Sequence, residues 1–439
     1  MPSASIIISI AITLIGLGVL AAVHEIGHFL VARAFGIKVY ELSIFVGPAL
    51  FSWRRKDVDY SIRLIPFGAY VRFSDFDEEE QEKDDTDPSS LKNQPRWKRI
   101  VVALAGPAMN IILGIIILTL LFSTTGFFST RQSTVLQGSQ VAMTSVQEGD
   151  RVTKINGSGV YTVYDFDAAL SLIPYDKPVT LTLKSVDNGK SYEATLTPDI
   201  YDIYILGITR LINEDAEGWR VQSVDPLQNN SNPVLKVNDE VLSVNGVSVL
   251  DESITRVIMQ SQGQALTVRY IRDGVEYESS IVPMMVKQSN PRGIIFQEGE
   301  GVMEAFFTAV KFPFSMVRLI GLTFEGAISG EIEAYNIVTG PVGITTMVSD
   351  VVDAPDVSTN LKAEILFLLL GVISIGLAIT NLLPIPGLDG NEIILLLVEL
   401  IRGKKIGKKA EMVINVIGFG IIILLVFFAL LSDIVRMTR

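Results

Sequence analysis

Apolar positions in this chain gather into four runs, each about as long as the roughly 20 residues that a bilayer-crossing helix needs. They cover residues 4–34, 100–122, 365–383 and 413–431, and with their flanks the expected spans occupy 1–36, 98–124, 362–390 and 411–434. The first run carries no Lys or Arg before Arg33. A cleaved signal peptide starts basic, so that reading is set aside. A fifth apolar stretch, 301–328, is different. Val302, Phe306, Phe307, Val310, Phe314, Val317 and Leu319 recur at mixed helical spacing, and Pro313 interrupts them. The pattern predicts an amphipathic region, 300–350, lying on the membrane surface. A fifth span is the rival reading.

Flanking charge gives the orientation. Arg33, Lys38, Arg54, Arg55 and Lys56 follow the first run, Arg96, Lys98 and Arg99 precede the second, and "RGKKIGKK" (402–409) joins the third to the fourth. Basic loops stay on the cytoplasmic side. The long segment between the second and third runs is then outside. A fifth span would put the last two loops on the wrong sides. The first cytoplasmic loop, 37–97, holds "DFDEEEQEKDDTDP" (75–88), which reads as a solvated acidic segment rather than a metal site.

The outer segment alternates with a period of two and repeats itself. "VQEGDRVTKINGSGV" (146–160) parallels "LKVNDEVLSVNGVSV" (235–249). Each copy predicts a strand, an Asn-Gly turn, a helix ("YDFDAALSLI", "DESITRVIMQS") and then a two-stranded hairpin. The pattern resembles a PDZ domain, with ND where GD is usual in the second copy. Two tandem PDZ-like domains are expected, at 130–212 and 213–288.

Candidate chemistry sits in the first run. "AAVHEIGHFLVARAFG" (21–36) contains His24 and His28, the two histidines of the chain, with Glu25 beside the first. Residues i and i+4 share a helix face, so both imidazoles can reach one ion, and Glu25 can reach a water on it. As a five-residue pattern this is weak. Inside a membrane span, unpaired ionisable groups cost several kcal/mol, and they read by default as functional. Entering at Ala4, His24 lies roughly 30 Å along the axis at 1.5 Å per residue, towards the cytoplasmic side. The third ligand has two candidates. Glu41 lies past Gly36 and Lys38 in the loop. Asp389 lies in "NLLPIPGLDGNE" (381–392), where Pro384, Pro386 and Gly387 break the third span. Broken backbone at membrane depth belongs beside a polar cavity.

Composition narrows the options. The chain is 49% hydrophobic with mean hydropathy +0.41, which fits a membrane protein. Net charge of −12 argues against nucleic-acid binding. There are no cysteines, so a transition-metal site must use His and carboxylate.

HEIGH together with N-x-x-P-x-P-x-L-D-G resembles the paired signature of site-2 proteases, intramembrane zinc metalloproteases, and the tandem PDZ arrangement resembles their RseP type. The resemblance covers essentially the whole chain. It implies a polytopic α-helical membrane protein with four transmembrane helices, two extracytoplasmic PDZ-like α+β domains and a cytoplasmic-side β-loop. By that resemblance His24, His28 and Asp389 match the zinc ligands and Glu25 the catalytic base. Asn381, with Pro384 and Pro386 in the same motif, matches a substrate-engaging segment. Gly106 and Asn110, in "AGPAMN", match a motif lining the site. "YSIRLIPFGAYVRF" (60–73) looks like the β-loop that pairs with an extended substrate, through Ile62, Leu64, Pro66, Gly68 and Tyr70. "GPVGI" (340–344) also recurs in the family. The chain departs from the pattern at Gly390-Asn391-Glu392, where Gly-His often follows Asp-Gly, and at Gly68-Ala69, where Gly-Gly is frequent. Implied partners are the bilayer and single-span membrane proteins pre-cut by another protease, of the anti-sigma-factor or signal-peptide-remnant kind, with no nucleic acid. Implied location is the bacterial inner membrane, with the active site towards the cytoplasm. Two rivals remain: a non-catalytic PDZ scaffold, and a zinc transporter, which would want ligands along a path.

Overall fold

The computed structural model describes residues 4–73, 87–211, 218–251, 253–330, 332, 333, 335, 339–355 and 357–438. Residues 75–86 of the expected acidic segment lie outside them. The main helices are α1 (Ala4–Ala34), α2 (Arg96–Thr125), α3 (Val163–Ser171), α4 (Ile254–Gln260), α5 (Gly301–Ser329), α6 (Pro341–Asp353), α7 (Thr359–Asn381), α8 (Asp389–Arg402) and α9 (Lys408–Thr438). Five helices among the described residues are long and apolar enough to cross a membrane: the four expected, and α5. Where 301–328 was expected to be interrupted at Pro313, α5 runs through it as one helix. The proline costs one intrahelical bond, which packing on both sides of it offsets.

The chain divides into two compact units. One comprises Met1–Ser133, Arg151–Leu172 and Phe296–Arg439; the other comprises Thr134–Asp150 and Ile173–Ile295.

In the first unit, α1 and α2 cross closely, and α2 packs along α7 through Leu118 and Ile375, both fully buried. Ser374 donates to the Asn110 carbonyl at 2.8 Å, tying the two helices by a polar bond inside an apolar contact. Such bonds are modest contributors in membranes, on the order of 1 kcal/mol. The third expected span, 362–390, ends sooner. α7 stops at Asn381, and Asp389 opens a separate helix, α8. α6 is held by α9: the buried Asp433 carboxylate accepts the Gly340 and Gly343 N–H groups at 3.0 and 2.9 Å. A carboxylate at a helix N-terminus satisfies two of its orphan donors and the helix dipole together.

Between α1 and α2 lies a β-loop, β1 (Glu41–Arg55) and β2 (Val58–Arg72). Both strands bend, at Gly47 and Gly68, which take positive φ. The bends let Glu41–Ile44 run antiparallel to Ala69–Arg72 on one side and alongside Asp59–Ile62 on the other. The far part of the loop is apolar and exposed, with Leu50, Phe51, Leu64, Ile65 and Phe67 outward. It reaches back along α1. A Cβ on Gly18 would come within 2.7 Å of Phe45 and of the Pro66 carbonyl, so only glycine permits this approach. Gly18 is about 9 Å along the axis from His24.

In the second unit every element predicted for the second repeat forms. Glu240–Val244 turns through Asn245-Gly246, both with positive φ, into Val247–Ser248, followed by α4 and the hairpin Leu266–Arg272/Val275–Ile281. Primed turns of this kind match the twist of the strands, which is why Asn-Gly marks them in sequence. In the first unit, the first repeat forms the same turn at Asn156-Gly157 and places α3 after it. The expected boundaries shift. The second sheet begins at Ile208–Leu211, inside the range 130–212, and Phe296–Glu298, beyond both repeats, pairs with Phe128–Gln132. Each sheet borrows an edge strand from outside its own repeat, and local periodicity carries no information on that partner.

The β-loop is anchored at its base by Glu41. Its carboxylate accepts from Arg63, Tyr70 and Ser61 at 2.8, 2.9 and 3.1 Å. Burial opposes its ionisation, but those hydrogen bonds outweigh burial and hold it below the usual carboxylate range. Stability of this origin is complete above the unfolded pKa and is lost as pH falls through the lower, folded one. Acidification is therefore expected to loosen the loop. Glu41→Gln is expected to flatten that pH dependence and to cost about 2 kcal/mol at neutral pH, read by hydrogen exchange of the amides from 41 to 72.

Candidate metal centre

The centre begins with helical geometry. His24 and His28 lie one turn apart on α1, both buried, with rings 4.8 Å apart and nearly perpendicular. Their Nε2 atoms stand 3.1 Å from each other. Asp389, the first residue of α8, brings Oδ2 to 3.0 Å from His24 Nε2 and Oδ1 to 3.4 Å from His28 Nε2. The break before α8 is what turns this carboxylate inward. Among the described residues, Glu25 completes a His-Glu-His group whose ligand atoms lie within 4.8 Å of one another.

The outer atoms of both rings are also engaged. His28 Nδ1 donates to the Val102 carbonyl at 2.7 Å, which leaves Nε2 as the lone-pair nitrogen. The Asn381 amide lies 3.5 Å from His24 Nδ1. With its oxygen turned to Nδ1–H, it would fix the same tautomer on His24, since amide N and O are interchangeable by a flip. Two imidazole lone pairs and a carboxylate then face one another, an arrangement that a bound divalent cation would relieve. A tetrahedral zinc with bonds near 2.1 Å separates its ligands by about 3.4 Å, so the residues fit that ion. Gly106 adds a second test. A Cβ there would stand 2.7 Å from His24 Nε2 and closer still to His28 Nε2. The glycine leaves open the space that an ion there would need.

Glu25 has a partner of its own. Its Oε2 accepts the Val71 N–H at 3.0 Å. Arg72, the next residue, turns its carbonyl to Tyr40 N–H at 2.9 Å, so Val71 faces away from β1, along the open edge of the loop. The catalytic candidate thus touches the edge where a further strand could add. A cavity of about 400 Å³ opens onto the centre, bordered by His24, Glu25, His28, Asn381 and Asp389.

The residues named from the sequence divide into two groups. His24, Glu25, His28, Asp389, Asn381 and Gly106 come together. Asn110 is fully buried one turn further along α2, and its side-chain amide has no hydrogen-bond partner among the described residues. Pro384 and Pro386 shape the break rather than line the cavity, and Pro386 packs against Gly418 of α9. Ile62, Leu64, Pro66, Gly68 and Tyr70 do not border the cavity either; Phe73 does. Glu41, the rival ligand, is committed to Arg63 and Tyr70. Sequence reasoning missed the Arg99–Glu392 pair, 3.4 Å apart on the cavity wall. The signal was present: Glu392 follows Asp389 by three residues on a helix, hence on the same face.

A family model described as peptidase family M50 matches residues 12–425. Protease RseP of Yersinia pestis is 27% identical over 99% of this chain and 100% of its own. The regulator of sigma-W protease RasP of Bacillus subtilis is 26% identical over 96% of each chain. A Neisseria meningitidis protein whose name describes a zinc metalloprotease is 26% identical over 95% of this chain and 97% of its own.

Removal of a ligand is expected to exceed the ten- to hundredfold loss of metal affinity typical of outer-shell changes. Asp389→Ala and Gly106→Ala should both purify with little zinc by elemental analysis, the first for want of a donor and the second for want of room. Unchanged zinc in Asp389→Ala would return the third-ligand question to the other carboxylates.

Proposed function

The chain belongs to peptidase family M50 and is a multi-pass membrane zinc metalloprotease, and on that premise we propose that it cuts the spanning segments of single-span proteins within the bilayer. The observation that carries this is the convergence of His24 and His28, inside the apolar helix α1, with Asp389 at the break after α7, at an end of α1 and α2 rich in basic flanks. A protease whose centre lies at membrane depth acts on peptide bonds that lie there too.

In this reading His24, His28 and Asp389 hold zinc, and Glu25 is the general base. The ion supplies Lewis acidity, which acidifies water and polarises the scissile carbonyl. Glu25 takes the proton of the attacking water and passes it to the leaving amine. A substrate helix hides its carbonyls in i→i−4 bonds and must first unwind. The open edge at Val71 can take the unwound segment as an added strand. Val71 N–H then exchanges Glu25 for a substrate carbonyl, which frees the base as the substrate docks. Asn381, which borders the cavity, supports a second backbone contact.

Four spans remain the preferred topology. The middle of α5 carries Lys311, Ser315 and Arg318, and Ser315 Oγ donates to Asp165 of α3 at 2.8 Å. Bonds to a non-membrane helix at mid-length support a helix lying along the outer boundary, not one crossing. The repeats act as PDZ-like domains outside the bacterial inner membrane. There they would exclude substrates with bulky outer domains, and substrates would be anti-sigma-factor-type proteins or signal-peptide remnants already trimmed by another protease. A scaffold without catalysis would have no use for an intact base and ligand set.

Glu25→Gln is expected to keep zinc and to lower cleavage of a tagged single-span reporter by about 10²–10⁴-fold. Retained cleavage sinks the base assignment. Val71→Pro deletes one N–H on an open edge, where proline is tolerated. It is expected to slow reporter cleavage about tenfold at unchanged zinc content; full activity would separate the edge from substrate binding.

A further inference from the structure

A basic cavity beside the first turns of α5 shares no lining residue with the cavity at the metal centre. It measures about 640 Å³, and Phe128, Arg131, Arg151, Tyr161, Glu304 and Lys311 are among its walls. Arg131 and Arg151 share one oxygen of Glu304, at 2.7 and 3.5 Å. Lys311, two turns on from Glu304, forms no ion pair among the described residues. With Glu300 also on the rim, three cations face two carboxylates.

Its surroundings are apolar and uncovered. Phe128, Met303 and Phe307, on the same cavity, are 52%, 68% and 55% exposed. The stripe continues down α5 through Phe314, Val317, Phe324 and Ile328, all exposed. Ala305, Ala309 and Phe312 on the opposite face are buried against α2. The cavity adjoins the end of α2, about 28 Å along the axis from Gly106. That is a bilayer's thickness from the metal centre, where headgroups meet water.

We propose that this cavity binds the headgroup phosphate of an anionic phospholipid, with an acyl chain laid along the exposed stripe of α5. Arginine forks and a lysine point charge suit phosphate oxygens. A soluble anion would satisfy the cations but leave the stripe uncovered, and a peptide carboxylate would do the same. The site rests on the boundary placement of α5 given above. Lipid bound there would hold α5, and through Ser315 and Thr162 the neighbouring α3, at the membrane surface.

The test uses the full chain in phosphatidylcholine nanodiscs. Because the chain has no cysteine, Met303→Cys gives one labelling site for a fluorophore. Phosphatidylglycerol with a nitroxide near its headgroup should quench it saturably, and equally labelled phosphatidylcholine only weakly. Lys311→Gln and Arg151→Gln should each weaken the apparent affinity about fivefold, and Lys311→Arg should restore it. Reporter cleavage retained in these variants shows that they fold. Equal quenching by both lipids, or unchanged affinity in both glutamine variants, overturns the proposal. So does full displacement by inorganic phosphate, or by a peptide with a free C-terminal carboxylate but not by its amide. If a nitroxide at the acyl terminus quenches more strongly than one near the headgroup, the placement of α5 fails and the lipid site with it, while the protease assignment stands.

Discussion

Two imidazole nitrogens and a carboxylate facing one another at 3.0–3.4 Å form the constraint on which the metal-bearing unit depends. In an apolar helix packing these groups repel, and each would be costly alone. A divalent cation held there would turn that cost into cohesion. The surrounding structure can be understood as what keeps the three atoms aimed: the Val102 carbonyl and Asn381 amide on the outer ring nitrogens, the open space at Gly106, and the helix break that delivers Asp389. Because α1, α2 and α8 each give one part, the centre also fixes how these helices cross.

The β-loop sets a strand edge beside this centre. Glu41 ties its base together through Arg63, Tyr70 and Ser61, and its apolar tip lies along α1 at Gly18. Between anchor and tip, one edge stays open and touches Glu25 through Val71. A backbone N–H has one acceptor at a time. In the proposed mechanism, pairing with substrate and holding the base would therefore be competing uses of a single hydrogen bond, which would make strand addition a precondition of proton transfer.

Much of this was legible in the sequence, for identifiable reasons. The i, i+4 spacing of His24 and His28 survives any packing, because helix periodicity dictates it. Asp389 could be sought in a helix break because unpaired backbone needs a polar cavity. Asn156-Gly157 and Asn245-Gly246 announced their turns, since few other residues take two consecutive positive φ values. What was missed is non-local. Nothing near Phe296–Glu298 points to its partner at Phe128–Gln132. Val71 N–H and the Val102 carbonyl are backbone groups with no sequence signature. Glu41 stood as a rival third ligand because its arginine partner lies 22 residues away on a bent strand. Continuity of α5 through Pro313 depended on tertiary packing that outweighs one lost helical bond.

The donor atoms around the metal are open to direct measurement. X-ray absorption at the zinc edge of the purified full chain should show two imidazole nitrogens and two oxygen donors, one from Asp389, at about 2.0–2.2 Å. In His24→Ala the imidazole count should fall to one. An unchanged imidazole shell in that variant, or a wild-type spectrum with no imidazole scattering, would contradict the account at its centre.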